Sequence, residues 1–158
     1  MAAAVLWGDD VSIDVAAAPE RVWELVADVT RTSEWSPVIQ GSEWVGEPAE
    51  PVEGARFVGH NQRSGVRWSR VCEVTRAEPG REFAFRTLFR GEESTRWRYL
   101  FEPIASGTRV TESYEAVALP RWVRLLYLIP GMGARSRRDG VRGMEETLAR
   151  LKEAAEAG

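Results

Sequence analysis

The order of the predicted secondary-structure elements constrains this chain most. Val11, Ile13 and Val15 alternate with polar residues, which is the period of a half-buried strand. A helix is predicted from about Pro19 to Val29, and a run of alternating segments then precedes a C-terminal helix. Val141, Met144, Leu148 and Leu151 are predicted to line one face of that last helix. A single antiparallel sheet has one apolar face to cover, and here one long helix must cover most of it. If the sheet curves around that helix, the space between them can stay partly hollow.

Length and composition predict one domain over residues 1–158, located in the cytoplasm. The net charge of −3 gives no global positive field that would favour nucleic acid. The single cysteine, Cys72, excludes an internal disulfide and is compatible with a reducing compartment. Residues 1–7 lack the basic start of a signal peptide, and the apolar run 125–130 is too short to span a bilayer.

Strict alternation along each predicted strand assigns its side chains to an inner and an outer face. The predicted inner faces carry Phe57, Gly59 and Asn61, then Trp68, Arg70, Cys72 and Val74, then Phe83, Phe85, Thr87 and Phe89, then Trp97, Tyr99 and Phe101, then Val110, Glu112 and Tyr114. Rows of aromatic rings therefore share the interior with two charges, Arg70 and Glu112. A buried charge is unfavourable unless it is paired or hydrated. These two residues either border a solvated cavity, meet a partner, or reach water at a strand end.

Several segments together resemble the START-like or Bet v 1-like (SRPBCC) superfamily, and within it the bacterial polyketide cyclase/dehydrase and lipid-transport family. They are residues 11–15 running into Ala18-Pro19-Glu20-Arg21-Val22-Trp23, Glu34-Trp35-Ser36-Pro37, Gly54-Ala55-Arg56-Phe57, Glu78-Pro79-Gly80, Trp97 to Phe101, 107–112 and 144–152. The resemblance implies an α+β helix-grip fold. About seven strands form a curved antiparallel sheet wrapped around a long C-terminal helix, with two short helices after the first strand and a cavity between sheet and helix.

Candidate ligand-binding residues follow from the predicted inner faces and from this resemblance. They are Trp35, Phe57, Asn61, Trp68, Arg70, Phe85, Trp97, Tyr99, Glu112, Tyr114 and Met144. Members of the superfamily bind lipids, polyketides, hormones and other apolar molecules, and only some are enzymes, so the resemblance predicts a fold more sharply than an activity.

One segment departs from the family pattern. Residues 120–131 form an extra amphipathic stretch before the C-terminal helix, and Pro130-Gly131 must interrupt it. The stretch is either a lid over the cavity or a short helix packed on the domain. The arginines that follow, from Arg135 to Arg142, are either a solvated helix face or a contact for a lipid head group or an acidic partner.

The catalytic chemistry open to this chain is narrow. The only histidine, His60, is predicted to face outward, no nucleophile-elbow sequence is present, and neither a metal nor another cofactor is predicted. General acid/base catalysis would use Glu112 as the base, Arg70 to polarise a carbonyl and Tyr99 or Tyr114 as a proton donor. The same residues would equally hold a fatty acid, with Arg70 on its carboxylate.

Three functional hypotheses remain. The first is a carrier or sensor that binds a small hydrophobic ligand, such as a lipid, polyketide or aromatic metabolite, in the cavity. The second is a polyketide cyclase or dehydratase that uses general acid/base chemistry in the same cavity. The third is a protein-interaction module of co-chaperone or stress-response type, which needs an exposed apolar patch such as Trp122, Leu126 and Ile129. Neither the ligand nor the oligomeric state follows from the sequence.

Overall fold

The computed structural model describes residues 5–158, and over that range seven strands form one antiparallel sheet. The strands are β1 (Trp7–Val15), β2 (Ile39–Val45), β3 (Arg56–Arg63), β4 (Val66–Glu78), β5 (Glu82–Phe89), β6 (Glu92–Ile104) and β7 (Gly107–Ala116). The helices are α1 (Pro19–Ala27), a 3₁₀ helix (Val29–Glu34), α2 (Arg121–Leu126) and α3 (Met132–Glu156). The predicted α+β helix-grip fold is confirmed.

The strands lie in the order β1-β7-β6-β5-β4-β3-β2. β1 and β2 are consecutive in the chain but form opposite edges, because α1 and the 3₁₀ helix carry the chain across the sheet. The pairing register shifts between Ile39 and Gly41, between Val74 and Arg76, and between Thr87 and Leu88. Such bulges bend a strand and increase its local twist, which favours a curved sheet.

The register aligns the predicted inner-face residues in rows across β6 and β7. Trp97 pairs with Tyr114, Tyr99 with Glu112, and Phe101 with Val110. On β4 the predicted alternation holds up to Val74, and the bulge then shifts it, so that Ala77 rather than Arg76 packs toward the core.

The core lies at one end of the sheet, under α1 and the C-terminal half of α3. Pro19 begins α1, whose buried side chains include Val22 and Leu25. Trp23 Nε1 donates to the Glu82 carbonyl at 2.8 Å, which fixes α1 to β5. Leu148 and Leu151 of α3 pack into the same apolar cluster.

The other end of the sheet is covered less completely. Residues 132–143, the N-terminal half of α3, contain no fully buried side chain, and neither does α2. A helix fills the space above a sheet only where it packs apolar side chains against it. The space between the sheet and the N-terminal half of α3 therefore stays partly open. No helix in the part of the chain described is both long and apolar enough to cross a membrane.

Candidate ligand-binding site

A pocket of about 500 Å³ lies between the N-terminal half of α3 and the inner face of the sheet. Its walls combine residues of β1, β3, β6, β7 and α3 with one residue of the segment between α2 and α3. They are Trp7, Asp9, Arg63, Trp97, Tyr114, Tyr127, Met132, Arg135, Ser136, Arg137, Asp139, Gly140 and Met144. Trp7 of β1 and Arg63 at the end of β3 border the same pocket although four strands separate β1 from β3 in the sheet. The sheet therefore curves strongly around this space.

Two aromatic pairs form much of the apolar wall. The rings of Trp97 and Tyr114 lie 4.8 Å apart between centroids, and those of Trp7 and Tyr127 lie 5.1 Å apart. Met144, which is buried on α3, closes the pocket from the helix side. Rigid aromatic surface with a flexible thioether beside it suits an apolar or aromatic guest.

Charged groups surround the rim. Arg137 is paired with Asp9 at 3.1 Å, which ties α3 to β1 across the pocket. Arg63 and Arg135 are exposed, and over residues 5–158 neither forms an ion pair. These two guanidiniums are therefore free to donate hydrogen bonds to an anionic group at the entrance of the pocket.

The carboxyl of Glu112 is buried beside the aromatic wall, on the next inward-facing pair of β6 and β7 after Trp97 and Tyr114. Glu112 is 2% exposed, and Tyr99 Oη donates to its Oε1 at 2.7 Å. Burial raises the pKa of Glu112 to about 8, although the hydrogen bond from Tyr99 acts in the opposite direction. The pKa of Tyr99 is raised well above its usual value, first by burial and then by the neighbouring Glu112. The protonated form of Glu112 therefore predominates at pH 7.

Trp35 packs against Tyr99, one member of the buried pair of Tyr99 and Glu112. Its ring meets Tyr99 edge to face at 6.2 Å, and it is 3% exposed. Trp35 Nε1 and Glu112 Oε2 are both buried without a hydrogen-bond partner among the described protein atoms. Tyr99 lies two residues after Trp97 on β6, and Glu112 lies two residues before Tyr114 on the antiparallel β7, so each is roughly 7 Å from its pocket-lining neighbour. Two unsatisfied polar atoms thus lie close behind the floor of the pocket.

The structure separates the predicted site residues into four groups. Trp97, Tyr114 and Met144 line the pocket, whereas Trp35, Tyr99 and Glu112 form the contact group behind it. Phe57 and Phe85 pack against each other at 5.2 Å within the core cluster.

The remaining predicted residues lie on β3 and β4. Arg70 lies over the Phe89 ring at 5.2 Å and donates to the Ser69 carbonyl, while the Asn61 amide donates to the carbonyls of Gly59 and Trp68. Arg70 and Glu112 lie three strands apart and form no ion pair within the described chain. Arg70 is therefore not the partner of Glu112.

The sequence prediction missed one wall of the pocket. Trp7 and Asp9 continue the alternation of Val11, Ile13 and Val15 toward the N-terminus. The same two-residue period, extended to residue 7, would therefore have placed both side chains on the inner face. Tyr127 belongs to the extra amphipathic stretch, and no local pattern shows that its ring packs on Trp7.

The residues that typically bind metals are dispersed. His60 lies on the outer face, where its ring nitrogens contact Ser69 and Glu43. Over residues 5–158 no three His, Cys, Asp or Glu side chains come together as a metal site would require.

Comparison with known proteins places this geometry in a family. The model of the polyketide cyclase / dehydrase and lipid transport family matches residues 10–156. The solution structure of a Polyketide_cyc-like protein from Corynebacterium glutamicum is 35% identical, with 94% of this chain and 91% of that chain covered and a TM-score of 0.63.

Two more distant structures share the fold. A START superfamily protein from Mycobacterium smegmatis is 15% identical, with 95% of this chain and 97% of that chain covered and a TM-score of 0.73. The di-domain ARO/CYC StfQ from the steffimycin biosynthetic pathway is 17% identical, with 95% of this chain and 50% of that chain covered and a TM-score of 0.74. Among curated proteins, none matches the chain significantly.

Proposed function

Because the chain belongs to the polyketide cyclase/dehydrase and lipid-transport family, we propose that it binds a small hydrophobic ligand as a carrier or sensor. The pocket beside the N-terminal half of α3 carries this proposal. Its volume of about 500 Å³ lies within the range of small-molecule sites, roughly 300–1,000 Å³. The aromatic pairs Trp97–Tyr114 and Trp7–Tyr127 offer the apolar contact surface.

The distribution of polar groups favours an amphipathic ligand. An apolar body would lie against Trp97 and Tyr114, and an anionic end would meet Arg63 and Arg135 at the rim. At the other end, a ligand that extended past Trp97 and Tyr114 would meet protonated Glu112, whose Oε2 could donate a hydrogen bond to a ligand carbonyl or hydroxyl. A fatty acid or an acidic polyketide has this arrangement of groups.

The proposal is tested by native mass spectrometry of the purified protein, followed by solvent extraction and identification of any bound molecule. Displacement of a fluorescent fatty acid then measures affinity for wild type and for Trp97→Ala. We expect Trp97→Ala to weaken binding about tenfold or more, because it removes one wall of the pocket.

Trp44→Ala is the matched control. Trp44 is also a half-buried inner-face tryptophan, but it packs on Phe57 outside the pocket. It should lower the free energy of unfolding and leave affinity near wild type. If wild type binds none of a panel of fatty acids and polyketides, or if Trp97→Ala binds as tightly as wild type, the proposed site is wrong.

A second candidate function, a cyclase or dehydratase, is favoured by Glu112 alone. A buried carboxyl with a pKa of about 8 and a tyrosine at 2.7 Å has the features of a general acid/base. Its carboxylate would take a proton from the carbon beside a ligand carbonyl. The resulting acid would then protonate the hydroxyl that leaves as water.

This second candidate has a distinct test. Glu112→Gln should abolish turnover of a β-hydroxyketone substrate while changing its affinity only slightly. In wild type, the rate should rise toward pH 8 as the carboxylate forms. Turnover that survives in Glu112→Gln would remove Glu112 as the base.

A further inference from the structure

The short helix α2 turns its apolar face outward. Trp122, Leu125, Leu126 and Ile129 follow the i, i+3, i+4, i+7 spacing of an amphipathic helix and the turn after it, yet all four are exposed. The half-buried residues of the same segment are Val123 and Tyr127, which lie on the opposite side. In a helix whose apolar stripe packs on its own domain, the exposure would be reversed.

The outward orientation has a visible cause. Tyr127 stacks on Trp7 at 5.1 Å, and its hydroxyl shares a hydrogen bond of 2.9 Å with Ser136 Oγ. These contacts attach the end of the segment to β1 and to α3. The apolar stripe is then left exposed, and Leu128 and Met132 of the same segment are exposed as well, Trp122 being 66% and Leu128 77% exposed. These six large apolar side chains between residues 122 and 132 are here called the apolar patch.

Arginines border this patch. Between residues 119 and 142 the chain has six arginines and a single acidic residue, Asp139, although the whole chain has a net charge of −3. Arg137 is paired with Asp9, but Arg121, Arg124, Arg135, Arg138 and Arg142 are exposed, and none of the five has a carboxylate partner within residues 5–158. The acidic surplus therefore lies elsewhere on the molecule.

From this combination we propose that α2 and the start of α3 dock on an anionic membrane surface. Trp122 and the leucines would enter the interface between head groups and acyl chains, and the arginines would contact lipid phosphates. Basic side chains near an anionic membrane each add to binding, and this addition falls off with salt.

The charge of the patch argues against a second copy of the chain as its occupant. In a two-fold dimer each copy would present the same patch to the other, and five unpaired arginines would face five more. Like charges across an interface disfavour association. A lipid bilayer offers phosphates as partners for the arginines and an apolar interior for the exposed apolar side chains.

The location of the patch gives docking a consequence. Tyr127, Met132, Arg135 and Ser136 belong to the same segment and also line the pocket. A docked protein would therefore hold the pocket entrance at the membrane surface. Docking itself does not depend on which ligand the pocket binds, so it can be tested separately.

The test is flotation of the full chain with vesicles of phosphatidylcholine alone, and with vesicles containing an equal part of phosphatidylglycerol. We expect binding to the anionic vesicles only, and less binding as salt is raised. Trp122→Ser/Leu126→Ser and Arg121→Gln/Arg124→Gln should each weaken it about tenfold or more. All four positions are exposed, so both variants should fold.

Two controls separate docking from other effects. Arg67→Gln/Arg81→Gln removes the same charge at exposed arginines elsewhere and should bind anionic vesicles as wild type does. Trp97→Ala should also bind them, because its side chain lies in the pocket wall. No flotation with anionic vesicles, equal flotation of wild type and the Trp122/Leu126 variant, or a dimer in solution that this variant dissolves would each overturn the proposal.

Discussion

The two halves of α3 perform different tasks in one continuous helix. From Met144 to Ala155 the helix buries Met144, Leu148, Leu151 and Ala155, whereas from Met132 to Gly143 none of its side chains is fully buried. The C-terminal half closes the core. The N-terminal half is rich in arginine and glycine, spans the open end of the sheet and borders the pocket. The difference shows how a helix-grip domain can retain a cavity: only part of its long C-terminal helix carries apolar side chains that pack on the sheet.

The largest expected effect tests whether the two halves differ in stability. Leu151→Ala in the C-terminal half should lower the free energy of unfolding by about 3 kcal/mol, because it leaves a cavity at a fully buried site. Val141→Ala in the N-terminal half should cost less than about 1 kcal/mol, since Val141 is only half-buried. Urea unfolding followed by circular dichroism measures both. Equal losses would mean that α3 packs evenly along its length.

A second prediction concerns Glu112, which lies between the packed and the open regions. Its pKa of about 8 in the folded protein exceeds the usual value of 4.5, so the folded state binds more protons than the unfolded state between these values. The stabilisation from this group is complete below pH 4.5 and is lost as pH rises through 8. In Glu112→Gln, this part of the pH dependence disappears.

The measurement is the free energy of unfolding of wild type and Glu112→Gln from pH 5 to pH 8. Relative to the variant, wild type should lose stability by on the order of 1 kcal/mol per pH unit. Glu115→Gln is the matched control, because Glu115 lies on the outer face of β7 and pairs with Arg96. Parallel curves for wild type and Glu112→Gln would show that Glu112 is ionised in the folded protein.

The smallest expected effect addresses the glycines of the open half. Gly140 lies within α3, and a Cβ built there meets nothing within 4 Å apart from the adjoining residues and backbone of its own helix. Gly140→Ala should therefore raise the free energy of unfolding by about 0.5–1 kcal/mol, through helix propensity alone. Hydrogen exchange of the amides in residues 132–143 should slow with it. If exchange stays as fast as in wild type, helix propensity does not limit the order of this half.

Gly107→Ala provides the opposite control. Gly107 has φ of 140°, and a Cβ there would overlap the Val15 carbonyl oxygen. This substitution should destabilise the protein clearly, since it combines an unfavourable backbone conformation with a clash between β7 and the end of β1.

Local patterns predicted the elements and their faces because each depends on neighbouring residues only. Alternation placed Trp97, Tyr99 and Phe101 on one face of β6, and helical spacing placed Met144, Leu148 and Leu151 on one face of α3. Both outcomes rest on the fixed directions of side chains in strands and helices. Where a bulge interrupts β4 after Val74, the same rule fails, since no local signal marks the extra residue.

Contacts between distant strands required the tertiary structure. The sequence identified Glu112 and Arg70 as inward charges, but only the strand order and register show that Tyr99, and not Arg70, is the partner of Glu112. The pKa of Glu112 likewise depends on burial by surrounding elements, which no residue pattern specifies.

By itself, the sequence determined the order of the elements and the inward faces of most strands, because these follow from periodicity and turn residues a few positions apart. The family was indicated separately, by the resemblance of several segments to known members. The tertiary structure alone decided where the pocket lies and that α2 turns its apolar stripe to solvent. Both depend on the curvature of the sheet and on packing of Tyr127 against Trp7, residues 120 positions apart in the chain. Such long-range packing is a property of the assembled fold, and amphipathic spacing alone does not say which surface a helix will cover.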